Sequence, residues 1–233
     1  MIYRPRTRPH FLPVPLAAKV SGTQRVRKLK DMRKSILLGT KNPDKLKELR
    51  ILLKGSGIRV LSLSDFPECP EARERGKTFE ANARIKARIY SKHAGMLAIA
   101  DDSGLSVSAL GGRPGVYSAR FAGPGCTYQD NNRKVLNLLK ARPRASRSAK
   151  FVSAMALYYK GRPVTVVKGE CRGKITPEAR GRNGFGYDPV FIPSGQPKTF
   201  AEFAPSVKNK ISHRGKALRL ALPHILNFWR NKI

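Results

Sequence analysis

The sequence predicts an α/β fold with a mixed sheet, and three observations carry that reading. Short apolar runs of strand character alternate with segments of helical period along most of the chain. Two β-rich runs, 151–159 and 164–171, are joined by Lys160-Gly161-Arg162-Pro163, a hairpin turn that puts an antiparallel pair into the sheet. The chain has 233 residues, 40% of them hydrophobic, enough to bury a core in one large domain or two small lobes.

Ile36-Leu37-Leu38 reads as a buried strand that ends at Gly39-Thr40. Asn42-Pro43-Asp44 then opens a helix, since Asn accepts from the free N–H groups of a helix start and Pro suits the first turn. Leu46, Leu49, Ile51, Leu52 and Leu53 give that helix its apolar stripe. A weaker alternation over 58–63 suggests a second strand. The segment 78–93 reads as a helix with Phe79, Ala83, Ile85, Ala87 and Ile89 on its apolar side, and 96–100 as a short strand running out into Asp101-Asp102-Ser103-Gly104. A third helix is expected over 128–140, an irregular Gly-rich segment over 180–187, a short strand over 190–192 and a closing helix over 212–229.

Residues 1–31 stand apart. They hold eight basic residues against the single acid Asp31, and Pro5, Pro9, Pro13 and Pro15 oppose a regular helix. They are expected to be a basic extension with no part in the chemistry, disordered or absent from the mature protein, with the folded domain over 32–233. A targeting presequence, a translation start at Met32 and a nucleic-acid arm are the alternatives. Beyond them 39 basic residues still face 14 acidic ones, so the folded part carries about +25 of the formal +32. A field of that sign attracts polyanions, nucleotides and nucleic acid among them. Cys69, Cys126 and Cys171 form no CxxC pair, which argues against a disulfide framework and a zinc site and fits a reducing compartment. The longest apolar runs are far too short to cross a bilayer, so no membrane role is expected.

Five segments carry chemistry. Thr40-Lys41-Asn42-Pro43-Asp44-Lys45 is a strand, a polar turn and a helix start, which together aim backbone N–H groups at one point and suit a phosphate. Asp101-Asp102 sets two like charges side by side, costly unless a hard cation such as Mg²⁺ shares them. Gly111 to Arg120 is a glycine-rich loop with Ser118 and Arg120 available to phosphate. In Gly184-Phe185-Gly186-Tyr187-Asp188 an aromatic flanked by glycines can lie on a base while Asp188 bonds its edge. Lys208 with Ser212-His213-Arg214 puts cations and a ring nitrogen at a helix start.

In this order, ADDSGL, GGRPGVYSARFAG, GFGYDPVF and KNKISHRGKAL resemble the inosine/xanthosine triphosphate pyrophosphatase (Ham1-like) family over roughly residues 36–222. The resemblance implies a two-lobed α/β fold, its central mixed twisted sheet flanked by helices and the substrate in the cleft, and a cytoplasmic homodimer. An organelle is the alternative if residues 1–31 are a targeting segment. It implies Mg²⁺-dependent cleavage of ITP, dITP or XTP to the monophosphate and pyrophosphate. Thr40, Asn42, Lys45 and Lys86 would then hold phosphates, and Asp101 and Asp102 the metal, with Asp102 as general base. Phe185 would stack on the purine, beside Gly186, Tyr187 and Asp188; Lys208, His213 and Arg214 would read the 6-oxo edge, and Ser103 would touch substrate.

One position departs from the pattern. Where the family's second helix carries a Glu expected to bind metal, this chain has Ala81, and Glu80 lies about 100° further round the helix. Glu80 is the alternative ligand. With the positive charge, this departure raises a second reading, a basic nucleic-acid-associated protein that keeps the fold with weak or lost catalysis. A third is a pyrophosphatase for modified pyrimidine nucleotides.

Overall fold

The computed structural model describes residues 34–232, so the basic extension expected over 1–31 lies outside the described residues. The core is a six-stranded sheet in the order β2-β1-β3-β4-β5-β6. Its strands are β1 (Ser35–Leu38), β2 (Arg59–Ser62), β3 (Leu97–Val107), β4 (Ser148–Tyr159), β5 (Arg162–Ile175) and β6 (Phe191–Pro193). β1 runs parallel to β2 and β3, and the pairs β3–β4, β4–β5 and β5–β6 are antiparallel, so the sheet is mixed as expected. The helices are α1 (Pro43–Leu53), α2 (Phe79–Ala94), α3 (Tyr128–Lys140), α4 (Pro205–Ile211) and α5 (His213–Arg230).

Local chemistry fixes the helix starts. Asn42 caps α1 by accepting from the N–H groups of Asp44 and Lys45, Thr78 caps α2 through Ala81 N–H, and Ser212 caps α5 through Gly215 N–H. α4 was not anticipated. It is seven residues long with Pro205 at its start, too short to show a period.

The long strands β3 and β4 serve two cores. At one end Ile99, Met155 and Leu157 pack with Leu49 and Leu53 of α1 and with Ala217, Leu218 and Ile225 of α5. At the other end Leu105 and Phe151 pack with Val135 and Leu139 of α3 and with Phe191 and Phe200. Asp101 and Asp102 sit between these cores, within β3 rather than in a turn beyond a short strand. A third, alanine-lined contact of Ala83 and Ala87 with Ala100, Ala154 and Ala156 brings α2 close against the sheet beside them.

Candidate active site

A cavity of about 300 Å³ opens between the two cores, lined by the phosphate turn, Lys86, Asp102, the Phe185 loop and the start of α5. Nearly every residue singled out in the sequence converges on it. Thr40 Oγ1 accepts from Asn42 N–H at 3.2 Å and so shapes the turn that leads into α1.

The two acids do different work because successive side chains of a strand leave opposite faces. Asp101 is wholly buried and shares its face with Ser103. Its Oδ2 accepts from Lys45 Nζ at 2.9 Å, Ser103 Oγ at 3.1 Å and Arg214 Nε at 3.4 Å, while Ser153 donates to Oδ1. Burial opposes its charge, but Lys45 and Arg214 overcome this and hold its carboxyl well below the usual carboxylate range. Both oxygens are committed, and the side chain does not line the cavity. Asp101 thus anchors Lys45, Ser103 and Arg214.

Asp102 faces the cavity. Lys86 Nζ donates to its Oδ1 at 2.9 Å and Asn82 Nδ2 to its Oδ2 at 3.3 Å. Burial pushes its carboxyl up to about 6, against the lowering charges of Lys86 and Lys45. A proton acceptor with that affinity is suited to general-base work near neutral pH.

Glu80 is not a partner of this site. It points to Lys168 on β5 at 3.6 Å, as its angular offset on the helix requires. Ala81 is occupied at the helix start, donating its N–H to Thr78, and does not line the cavity. The second carboxylate comes from Glu74, in the irregular segment before α2, whose Oε2 accepts from Lys86 Nζ at 3.0 Å. Asn82 holds that segment by accepting from Gly76 N–H at 2.8 Å, so one side chain fixes both Asp102 and the loop that presents Glu74. Sequence reasoning missed Glu74 because Glu71-Ala72-Arg73-Glu74-Arg75 has no periodicity to aim any one of its charges.

The other end of the cleft is an ion-pair net. Lys208 Nζ binds Glu48 Oε1 at 2.6 Å and also Asp188, and Arg214 binds Glu48 as well as Asp101. Glu48, on α1, was not anticipated either. Asp188 Oδ2 accepts from Phe185 N–H at 2.8 Å and from Lys208, so Asp188, which lines the cavity, shapes the loop and orients a cation. Tyr187 is buried and donates to Ser118 carbonyl at 2.9 Å, and Gly186 carbonyl accepts from Asn132; both residues also line the cavity. Ser118 lines the cavity as well, and its Oγ donates to Gly115 carbonyl and accepts from Leu105 N–H. Arg120 does line the cavity, its guanidinium lying over Tyr117.

Phe185 lies under two cations, with Lys208 Nζ 4.8 Å and Arg214 Cζ 5.4 Å from its ring centroid. His213 stacks on Phe151 with centroids 4.5 Å apart, and its buried Nδ1 has no hydrogen-bond partner among the described residues. Burial, then the Arg214 charge, keeps this ring neutral. Gly169 lets the start of α5 reach this place: a Cβ there would stand 2.3 Å from His213 carbonyl oxygen and 2.4 Å from Ala217 nitrogen.

A buried carboxylate with raised proton affinity, a second carboxylate, several lysines and a cation-rich aromatic floor in one cleft define a nucleotide-hydrolase type of site. The Ham1 family model matches residues 36–224, and the chain belongs to the Ham1 family. It is 47% identical over 186 residues to the dITP/XTP pyrophosphatase of Bacillus licheniformis, covering 80% of this chain and 95% of the relative. It is 48% identical over 185 residues to the dITP/XTP pyrophosphatase of Geobacillus kaustophilus, covering 79% and 91%. Among solved structures, a HAM1 protein from Coxiella burnetii superposes with TM-score 0.75 at 42% identity, over 83% of this chain and 98% of that one. The Ham1 protein of Staphylococcus aureus gives 0.74 at 34% identity, over 83% and 99%.

Proposed function

We propose that this protein hydrolyses ITP, dITP and XTP to the nucleoside monophosphate and pyrophosphate. The observation that carries the reading is Asp102, a cavity-facing carboxylate pushed up to about 6 and held between Lys86 and Asn82, in one cavity with Phe185, Lys208 and Arg214.

Asp102 accepts a proton from the attacking water as its oxygen bonds to the α-phosphorus and the bond to the bridging oxygen breaks. Lys45 and Lys86, released from their carboxylate partners by the triphosphate, take up the negative charge of the departing pyrophosphate. Phe185 supports the purine ring. Lys208 and Arg214 donate toward the 6-oxo group, and adenine's amino group at that place would face donors and leave them unpaired.

Mg²⁺ is part of this reading. Among the described residues no three His, Cys, Asp or Glu side chains gather into a metal cluster. Mg²⁺ needs fewer protein ligands, one or two carboxylates with the rest supplied by water and phosphate. Asp102 and Glu74 fit that demand, for both already contact one ammonium, Lys86, at 2.9 and 3.0 Å. The ion would supply charge neutralisation on the phosphate oxygens.

The reading as a nucleic-acid binder without catalysis has less support. Ala81 and the positive charge of the folded part favour it, but position 81 does not line the cavity, whereas Asp102 and Glu74 do. No helix among the described residues is long and apolar enough to cross a membrane. A cytoplasmic homodimer belongs to the same proposal, and sedimentation tests its dimeric part.

A panel of ITP, dITP, XTP, dATP, dGTP and dUTP, assayed for pyrophosphate release with Mg²⁺, tests the function. The expected result is turnover of the first three only. Preference for dATP or dUTP, or no pyrophosphate from any, would overturn it.

A further inference from the structure

Tyr128, the first residue of α3, stands at the cleft and has no part in the chemistry above. Its hydroxyl accepts from Asn42 Nδ2 at 3.1 Å and donates to Asp44 Oδ2 at 3.2 Å. Asn42 Oδ1 is already committed to the N–H groups of Asp44 and Lys45, so the phenol takes up the amide end of the residue that caps α1. The same ring meets Phe185, with centroids 6.0 Å apart and planes tilted by 44°. That distance and tilt are those of a packed aromatic pair, so Tyr128 braces Phe185. Its own helix is rooted in one core through Val135 and Leu139, while Asn42 and Asp44 open a helix rooted in the other through Leu49 and Leu53.

We infer that Tyr128 is a positioning residue that ties the phosphate turn to the aromatic support of the base, so that a single side chain sets the spacing between the two ends of the nucleotide site. The inference rests on the nucleotide reading above and deepens it. Its effect falls on binding. Tyr128 touches neither Asp102 nor Lys86, and the proton transfer is left to them.

The test uses the full chain as wild type, Tyr128→Phe and Tyr128→Ala, each checked for fold by circular dichroism. Tripolyphosphate binding is measured by calorimetry, and KM and kcat are measured for dITP. Tyr128→Phe keeps the ring and loses the hydroxyl. It is expected to weaken tripolyphosphate and raise KM by about 3- to 10-fold, with kcat within about twofold. Tyr128→Ala also removes the brace on Phe185, so it is expected to raise KM for dITP by more than it weakens tripolyphosphate. Tripolyphosphate affinity and KM unchanged in Tyr128→Phe would overturn the inference, as would a fall in kcat at constant KM or a wild type that does not bind tripolyphosphate. A wild type inactive on dITP, yet binding tripolyphosphate more tightly than Tyr128→Phe does, would defeat the catalytic reading and leave the tie to the phosphate turn standing.

Discussion

Glu48 on α1 receives the ammonium of Lys208 on α4 at 2.6 Å, and its other oxygen receives Arg214. Burial raises the proton affinity of Glu48, but Arg214 and Lys208 outweigh it and hold the carboxyl below its ordinary value, so it stays charged. Replacing it by Gln leaves two buried cations short of a counter-charge. Removing one partner of a buried pair costs about 3 kcal/mol or more, at the lower end here because Asp188 and Asp101 remain. Glu48→Gln should therefore melt well below wild type and show a raised KM for dITP. An unchanged melting temperature would mean that the net does not depend on Glu48.

The carboxylates around Lys86 make an asymmetric prediction. Glu74→Gln should raise the Mg²⁺ concentration needed for half-maximal activity by about tenfold or more, whereas Glu80→Gln should leave it within twofold. Ala81→Glu should give no gain, because that position does not line the cleft. A Mg²⁺ titration of the three variants decides. Loss in Glu80→Gln with none in Glu74→Gln would reverse the assignment.

Gly169 predicts a packing effect. A Cβ at this position meets backbone atoms of α5, which have no rotamer by which to yield. Gly169→Ala should cost about 1–3 kcal/mol, read from a denaturant midpoint, and lower activity through displacement of His213 and Arg214.

Acid stability follows from His213. Its pKa lies well below 6.5 in the folded protein, first through burial and then through Arg214. Below about pH 6.5 the unfolded chain takes up a proton that the folded one refuses, so stability is full above that pH and falls as pH drops through it. Chemical denaturation should show a loss approaching about 1.4 kcal/mol per pH unit from this group. His213→Gln should flatten that slope between about pH 6.5 and 5. An equal slope in the variant would assign the loss to other groups.

Much of this site was legible in the chain because its residues fall in short segments whose local chemistry is self-contained. Asn42-Pro43 fixes a helix start, and Gly184 to Asp188 folds back on itself through Phe185 N–H to Asp188. What stayed hidden depends on tertiary placement. A run of polar and small residues, 101–104, reads as a turn by composition, yet it continues β3 because β4 pairs along its whole length and Lys45, Arg214 and Lys86 neutralise the two acids. That continuation splits the acids onto two faces, so Asp101 becomes a buried anchor and Asp102 faces the cavity. Glu48 lies on a helix whose apolar stripe announced only core, and Glu74 lies in a loop without period; neither carries a local sign of its partner.

Asp102 is the center of the account, and its replacement by Asn is the most direct test. Asp102→Asn should lower kcat for dITP by about 10²- to 10⁴-fold while calorimetric dITP binding in the absence of Mg²⁺ stays within a few-fold of wild type. A variant that keeps kcat within tenfold of wild type would contradict the assignment of Asp102 as the base.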